Sequence, residues 1–150
     1  MKTWELISIV LSALVAGMFY GPWAALSRSI SSFTPEVFLA IVDRMNRNMA
    51  PIMTVLMPAA VLSIVPVLFL SYHKQPRTFY LGLAGFAFFI IALLITMLIE
   101  VPIVKEIVTW KVSTLPDNWQ QLRDRWSAFH AIRVVAGLAG LVLLVVGAIF

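Results

Sequence analysis

The chain has 150 residues, 61% of them hydrophobic and only 12% charged, with no cysteine and a net charge of +4. A soluble domain is about half apolar and roughly a quarter charged, so this composition excludes a water-soluble fold and calls for an integral membrane protein. The lack of cysteine removes disulfides, thiolate nucleophiles and cysteine metal sites, and the dispersed positive charge suits anionic lipid rather than nucleic acid.

The first apolar span is expected at about residues 6–27, behind Lys2 and Glu5. The run is long for a signal-peptide core and has no clean small-residue exit, so it reads as a retained span. Gly17, Gly21 and Pro22 should thin and bend its far end, letting a neighbour or ligand approach closely. A connection follows from Arg28 to Ala50, in which Thr34 can cap a helix and Pro35 suits its first position. Phe38, Ile41, Val42, Met45 and Met49 fall on one side, with Asp43, Arg44, Asn46 and Arg47 largely elsewhere. The pattern predicts a short amphipathic helix lying at the membrane surface.

A second span, about 51–72, carries Pro58 and Pro66 and no charge. The basic hinge from Ser71 to Arg77 leads to a third span at about 79–104, apolar until Glu100 and followed by Pro102. Thr114 and Asp117 have capping-box spacing, with Pro116 early in the first turn. The last helix then has no break before Phe150; at about 1.5 Å per residue it reaches ~50 Å, well beyond a ~30 Å hydrocarbon layer. The fold expected is all-α: one transmembrane domain over residues 1–150, a bundle of four spans with the last at about 129–150, and both termini on one side. The charged loops point in conflicting directions, and the density of Lys74 and Arg77 inclines towards cytoplasmic termini.

The last helix carries the most informative pattern. Trp119, Arg123, Trp126, His130, Arg133, Gly137 and Gly140 alternate in steps of four and three, so they share one face. Arg133 is followed by seventeen uncharged residues and therefore sits near the hydrocarbon boundary. It could face inward, pair with Glu100 and hold a polar or anionic group, or it could snorkel and merely mark the helix end. His130 could accept a proton near neutral pH or bridge two helices. Glu100 could act as counter-ion or base, or be an ordinary interfacial carboxylate. Trp119 and Trp126 could stack on a flat ligand or belong to the interfacial belt. Gly137 and Gly140 fit helix packing better than a pocket floor. His73 and His130 lie at opposite membrane faces, so no shared metal site is expected. No phosphate-binding loop, nucleophile elbow or HExxH motif occurs.

Glu100-Val-Pro-Ile, then Trp110, then a proline and Trp119-x-x-Leu-Arg-x-Arg-Trp-x-x-x-His-x-x-Arg133 resemble the signature of the anthrone oxygenase-like family of small four-span membrane proteins. Ala16-Gly17-Met18-Phe19 and Arg44-Met-Asn46-Arg47 before Pro51 agree with it. The resemblance implies an oxygenase without metal or organic cofactor that uses molecular oxygen on a lipophilic polycyclic phenol or quinone-like compound. It implies roles in substrate binding for Asn46, Arg47, Trp119, Arg123 and Trp126, and adds weight to His130, Arg133 and Glu100 as the catalytic group. It also implies a bacterial inner-membrane setting. One departure is visible: the family is expected to carry asparagine soon after the Val-Pro of the third span, where this chain has Val104 and Lys105. Two other classes compete with the enzyme: a non-catalytic membrane subunit or partner-binding module, which could self-associate, and a small transporter. The transporter ranks last because no acid lies mid-span in the first, second or fourth helix.

Overall fold

The computed structural model describes residues 1–150. Helix α1 spans Lys2–Pro22 and passes into a π-helical turn, Trp23–Ser27; α2 spans Pro35–Ser71 and α3 Pro76–Ile95. A second π-helical turn, Thr96–Glu100, joins α3 to α4 (Val101–Ile107), and α5 spans Trp119–Ile149. There are no strands. Four stretches are long and apolar enough to cross a membrane: Lys2–Ser27, Pro35–Ser71, Pro76–Ile107 and Trp119–Ile149. They form the expected all-α four-helix bundle, in which α1 packs on α2, α2 on α3, α3 on α5 and α5 on α1.

Apolar side chains cover both the inside and the outside of this bundle. Phe69 is 83% exposed, Val55 71%, Leu98 70% and Val135 66%. Surfaces this oily are stable only against lipid tails, and between the helices close packing must replace the hydrophobic effect as the source of cohesion. The main core joins Val15 and Phe19 of α1, Met57, Ala60 and Ile64 of α2, Phe89 and Ala92 of α3, and Val134 and Leu144 of α5. Small residues set its tightest contact. A Cβ on Gly140 would lie 2.9 Å from the Phe89 ring and 3.1 Å from the Gly85 carbonyl oxygen, so α3 and α5 touch backbone to backbone. Gly137 similarly admits the Phe19 ring. Both α5 glycines are thus packing positions.

Gly17 and Gly21 behave differently from expectation. Both face outward, and a Cβ added at either would meet nothing within 4 Å, so no helix of this chain approaches through them. The close approach on that span is made by Ala16 and Phe19 instead.

The separate surface helix is also corrected. Residues from Pro35 onward are the first turns of α2, which continues unbroken for 37 residues through Pro51, Pro58 and Pro66. Each proline removes one N–H and so one helical hydrogen bond, which leaves the remaining ladder intact on either side. At about 1.5 Å per residue the helix is ~55 Å long, so it projects from a ~30 Å hydrocarbon layer rather than lying on it. The apolar side of the projecting part is used: Phe38 and Val42 pack with Ile30, Ile103, Ile107 and Trp126 in a second core beyond the main one. Thr34 does precede the helix and Pro35 does occupy its first turn, although the Thr34 side chain makes no capping hydrogen bond.

The capping box expected for the last helix is not formed. Thr114 ends a short 3₁₀ turn, Val112–Thr114, where its Oγ1 accepts a hydrogen bond from the Lys111 N–H at 3.3 Å. Helix α5 begins later, after Asn118.

Candidate functional site

The face of α5 read from the sequence turns into the bundle. Arg123, Trp126 and His130 are buried, as are Gly137 and Gly140, and the Arg133 side chain is 13% exposed. Trp119, at the helix start, is half-buried.

Glu100 reaches the same place through a change of helical pitch. Inward positions on α3 are Thr78, Gly82, Gly85, Phe89 and Ala92, in alternating steps of four and three. Continued without a break, that rhythm would bring Thr96 and then Ile99 inward. The π-helical turn Thr96–Glu100 inserts roughly one extra residue into the turn, so the buried positions become Glu100, Ile103 and Ile107. A strictly α-helical span would put an isoleucine where the carboxylate now sits.

Arg133 is the hub. Its Nη2 lies 3.4 Å from Glu100 Oε2, across from a carboxylate whose side chain is 4% exposed. The same nitrogen donates to His130 Nδ1 at 2.7 Å, and Nη1 donates to Thr96 Oγ1 at 3.1 Å. Thr96 in turn donates to the Ala92 carbonyl at 2.7 Å, which fixes its hydroxyl. The guanidinium carbon sits 4.5 Å from the centre of the Phe19 ring, a cation–π contact that partly replaces lost hydration. Trp126 stacks on His130 with ring centres 5.9 Å apart and planes 17° from parallel.

Two consequences follow from donor and acceptor counting. Arginine only donates, so His130 must offer the Nδ1 lone pair to it, and the neutral imidazole then carries its proton on Nε2. Three atoms of this group are buried without a well-aligned hydrogen bond, Glu100 Oε1, His130 Nε2 and Arg133 Nε; the Trp126 indole approaches the Glu100 carboxylate and the Phe19 carbonyl approaches the His130 ring more loosely. Leaving such a group unpaired costs about 1–3 kcal/mol each, more when it is charged. The fold therefore keeps together one carboxylate oxygen and two N–H donors that are only weakly satisfied within the chain.

The remaining candidates are distributed around this centre. Arg123 is held by Asp124, with Nε and Nη2 at 2.9 and 2.8 Å from Oδ1, and lies over the Trp119 ring at 5.3 Å. Phe38 bridges Trp119 and Trp126, with ring centres 5.9 and 6.3 Å away. Asn46 is half-buried on α2 and makes no side-chain hydrogen bond to the group. Arg47 is not brought to it: its side chain is 72% exposed and pairs at 3.0 Å with Asp43, one turn back on its own helix. Val104 is half-buried and Lys105 exposed, so the inward positions of α4 are Ile103 and Ile107 and no polar group stands in for the expected asparagine. His73 sits exposed at the opposite end against Tyr72, and no three histidine or acidic side chains gather closely enough to ligate a metal.

Thr96 and Phe19 do not stand out as site residues in the sequence. Thr96 had a usable signal, since it precedes Glu100 by four residues on a helix. For Phe19 the signal was its place in the Ala16-Gly17-Met18-Phe19 stretch that agrees with the family, since by itself one apolar residue in an apolar span looks like any other. Glu5 has the look of a mere flank, yet it is buried, with Oε2 3.0 Å from Lys2 Nζ. Lys2 reaches on to the Ala148 carbonyl at 2.8 Å, so this pair ties the start of α1 to the end of α5.

A family model for anthrone oxygenase matches residues 38–143, which is well over half of the chain. The chain belongs to the anthrone oxygenase family. The matched region takes in every residue of the polar group except Phe19. Neither the curated proteins nor the solved structures include a match to this anthrone oxygenase family member.

Proposed function

We propose that the protein is a membrane oxidoreductase that oxidises a lipophilic polycyclic phenol or quinone-like compound with molecular oxygen, without metal or organic cofactor. The observation that carries this reading is the cluster of a carboxylate, an imidazole and a guanidinium inside an otherwise apolar bundle, with Glu100 Oε1, His130 Nε2 and Arg133 Nε lacking a well-aligned hydrogen bond. Oxygen and a fused-ring substrate both partition into the apolar membrane around the bundle, and a carbanion or phenolate brought to this cluster needs a base and fixed donors.

In the reaction we propose, Glu100 takes a proton from the substrate's activated CH₂ to give a delocalised oxyanion. The Nε2–H of His130 and the guanidinium of Arg133 hold the developing negative oxygen. The anion passes an electron to dioxygen, the resulting radical pair joins as a carbon-bound peroxide anion, Glu100 returns its proton to the outer oxygen, and loss of water with the remaining C–H hydrogen leaves a carbonyl. The balance is CH₂ plus O₂ to C=O plus H₂O. This assigns the base to Glu100, since the Nδ1 lone pair of His130 is already engaged by Arg133. Trp126 and Trp119 would stack on the ring system, with Arg123 and Asn46 nearer the membrane boundary.

Purified protein in detergent should consume oxygen when given an anthrone, and Glu100→Gln and His130→Ala should each reduce that uptake by at least about a hundredfold, the usual worth of a positioned acid or base. Undiminished uptake in Glu100→Gln, or none in the wild type, rejects the reading. The setting we propose is a bacterial inner membrane with one transmembrane domain and cytoplasmic termini; exposed Lys74 and Arg77 at the end that carries the termini support the orientation.

A second reading has one observation in its favour. Gly17 and Gly21 form an outward small-x-x-x-small pair with open space beside both, as a helix of a partner subunit or a second copy would require.

A further inference from the structure

The side of α5 opposite the polar group is not smooth. A groove of about 390 Å³ runs between the end of α1 and the first turns of α5, lined by Trp23, Ser27, Arg28, Asp124, Ser127 and Ala131 among others. A second groove, of about 350 Å³, is lined only by apolar residues, including Phe88 and Ile91 of α3 and Ala131 and Val135 of α5. Both are lined by Ala131, so they lie end to end along α5 on either side of that residue. Residues 124, 128, 131 and 135 fall on the face away from 126, 130 and 133 by the 3.6-residue period. This surface is therefore separate from the candidate active site.

The chemistry of the joined grooves changes along α5. The Asp124 end lies before the long apolar part of the helix, at the membrane boundary, and carries both signs of charge. Arg28 is exposed and takes part in none of the chain's four ion pairs, which are Lys2–Glu5, Arg47–Asp43, Arg123–Asp124 and Arg133–Glu100. Asp124 is 62% exposed and receives Arg123 on Oδ1 alone, leaving Oδ2 uncommitted. Two hydroxyls, Ser27 and Ser127, and an indole suited to the headgroup layer complete this end. Beyond Ala131 no polar side chain lines the channel.

We propose that these grooves bind one phospholipid with a primary-ammonium headgroup. Its phosphate meets Arg28 and the Ser27 hydroxyl, its ammonium donates to Asp124 Oδ2, and an acyl chain lies past Ala131 along Phe88, Ile91 and Val135. A lone anionic headgroup would satisfy Arg28 and be repelled by Asp124. A choline headgroup carries no N–H to donate. Only the zwitterion with a primary ammonium complements both charges.

The test is native mass spectrometry of the full-length protein in detergent, titrated separately with 1-palmitoyl-2-oleoyl phosphatidylethanolamine, phosphatidylglycerol and phosphatidylcholine. One ethanolamine lipid should be retained about tenfold more tightly than either of the others, the scale of one charge-assisted hydrogen bond. Arg28→Ala should weaken retention of all three lipids. Asp124→Asn should remove the preference for ethanolamine over choline. Ala131→Phe, which fills the junction from the lipid side, should abolish retention, with thermal melts showing that each outward-facing variant stays folded. Equal retention of the three lipids, a preference for phosphatidylglycerol, or a preference that survives both Arg28→Ala and Asp124→Asn overturns the proposal.

Discussion

Replacing Gly140 and Gly17 by alanine, one at a time, should move stability in opposite directions. The added methyl at position 140 would stand 2.9 Å from two atoms of the Phe89 ring and 3.1 Å from the Gly85 carbonyl oxygen. Phe89 is fully buried, and Gly85 presents backbone, so neither can swing aside. Alanine gains up to about 1 kcal/mol in helix propensity over glycine, whereas overfilling a packed interior costs about 1–3 kcal/mol. Subtracting the full propensity gain leaves a net loss of up to about 2 kcal/mol, centred near ~1 kcal/mol, at position 140. At position 17 the methyl meets nothing within 4 Å, so only the propensity term acts and a gain of about 0.5–1 kcal/mol should follow. The pair should differ by about 2 kcal/mol, roughly thirtyfold in the folded-to-unfolded ratio. Reversible unfolding in mixed micelles titrated with sodium dodecyl sulfate, followed by circular dichroism, measures both. If Gly140→Ala is as stable as the wild type, α3 and α5 do not cross at Gly85 and Gly140, and the inward orientation of the α5 face falls with that crossing.

Removing Arg133 as Arg133→Met should destabilise by about 3–5 kcal/mol, because Glu100 is left as a buried charge without its partner. Pairing it with Glu100→Gln should recover much of that loss, and strict additivity of the two would show that the side chains do not interact. Arg47→Ala should change stability by no more than about 0.5 kcal/mol, since an exposed ion pair one turn apart on a helix is worth little. It should also leave oxygen uptake within about twofold of wild type, as expected for a surface substitution; a hundredfold loss would put Arg47 back into the active site. Thr96→Val keeps the shape but removes the acceptor of Arg133 Nη1, leaving a buried donor unpaired at about 1–3 kcal/mol; the same denaturation series should record it, and no change would mean that the π-helical turn is not held from α5.

Much of the molecule was legible in the chain itself. Composition alone decides for lipid over water, because no interior of this size could hide so many apolar side chains. The four spans follow from run length, and the shared face of Arg123, Trp126, His130 and Arg133 follows from the 3.6-residue period of α5. These are local properties, fixed by residues within a few turns of one another. The family resemblance was legible for the same reason, since its motifs are short spacings on one helix and one helix end.

What only the tertiary structure decided concerns contacts between distant segments. The depth of α2 in the membrane depends on whether Phe38 and Val42 find partners, and they find Ile103, Ile107 and Trp126 across the bundle. Arg47 shares a motif with Asn46 but points away, because Asp43 one turn back offers it a partner in the wet layer. The inward turn of Glu100 rests on an extra residue in the Thr96–Glu100 turn, a change of pitch that no period in the sequence announces. The proton on His130 Nε2 is decided by Arg133, which occupies Nδ1. Period and composition say which residues share a face; where that face points, and which lone pairs remain free on it, is settled by how closely glycines such as Gly85 and Gly140 let neighbouring helices approach.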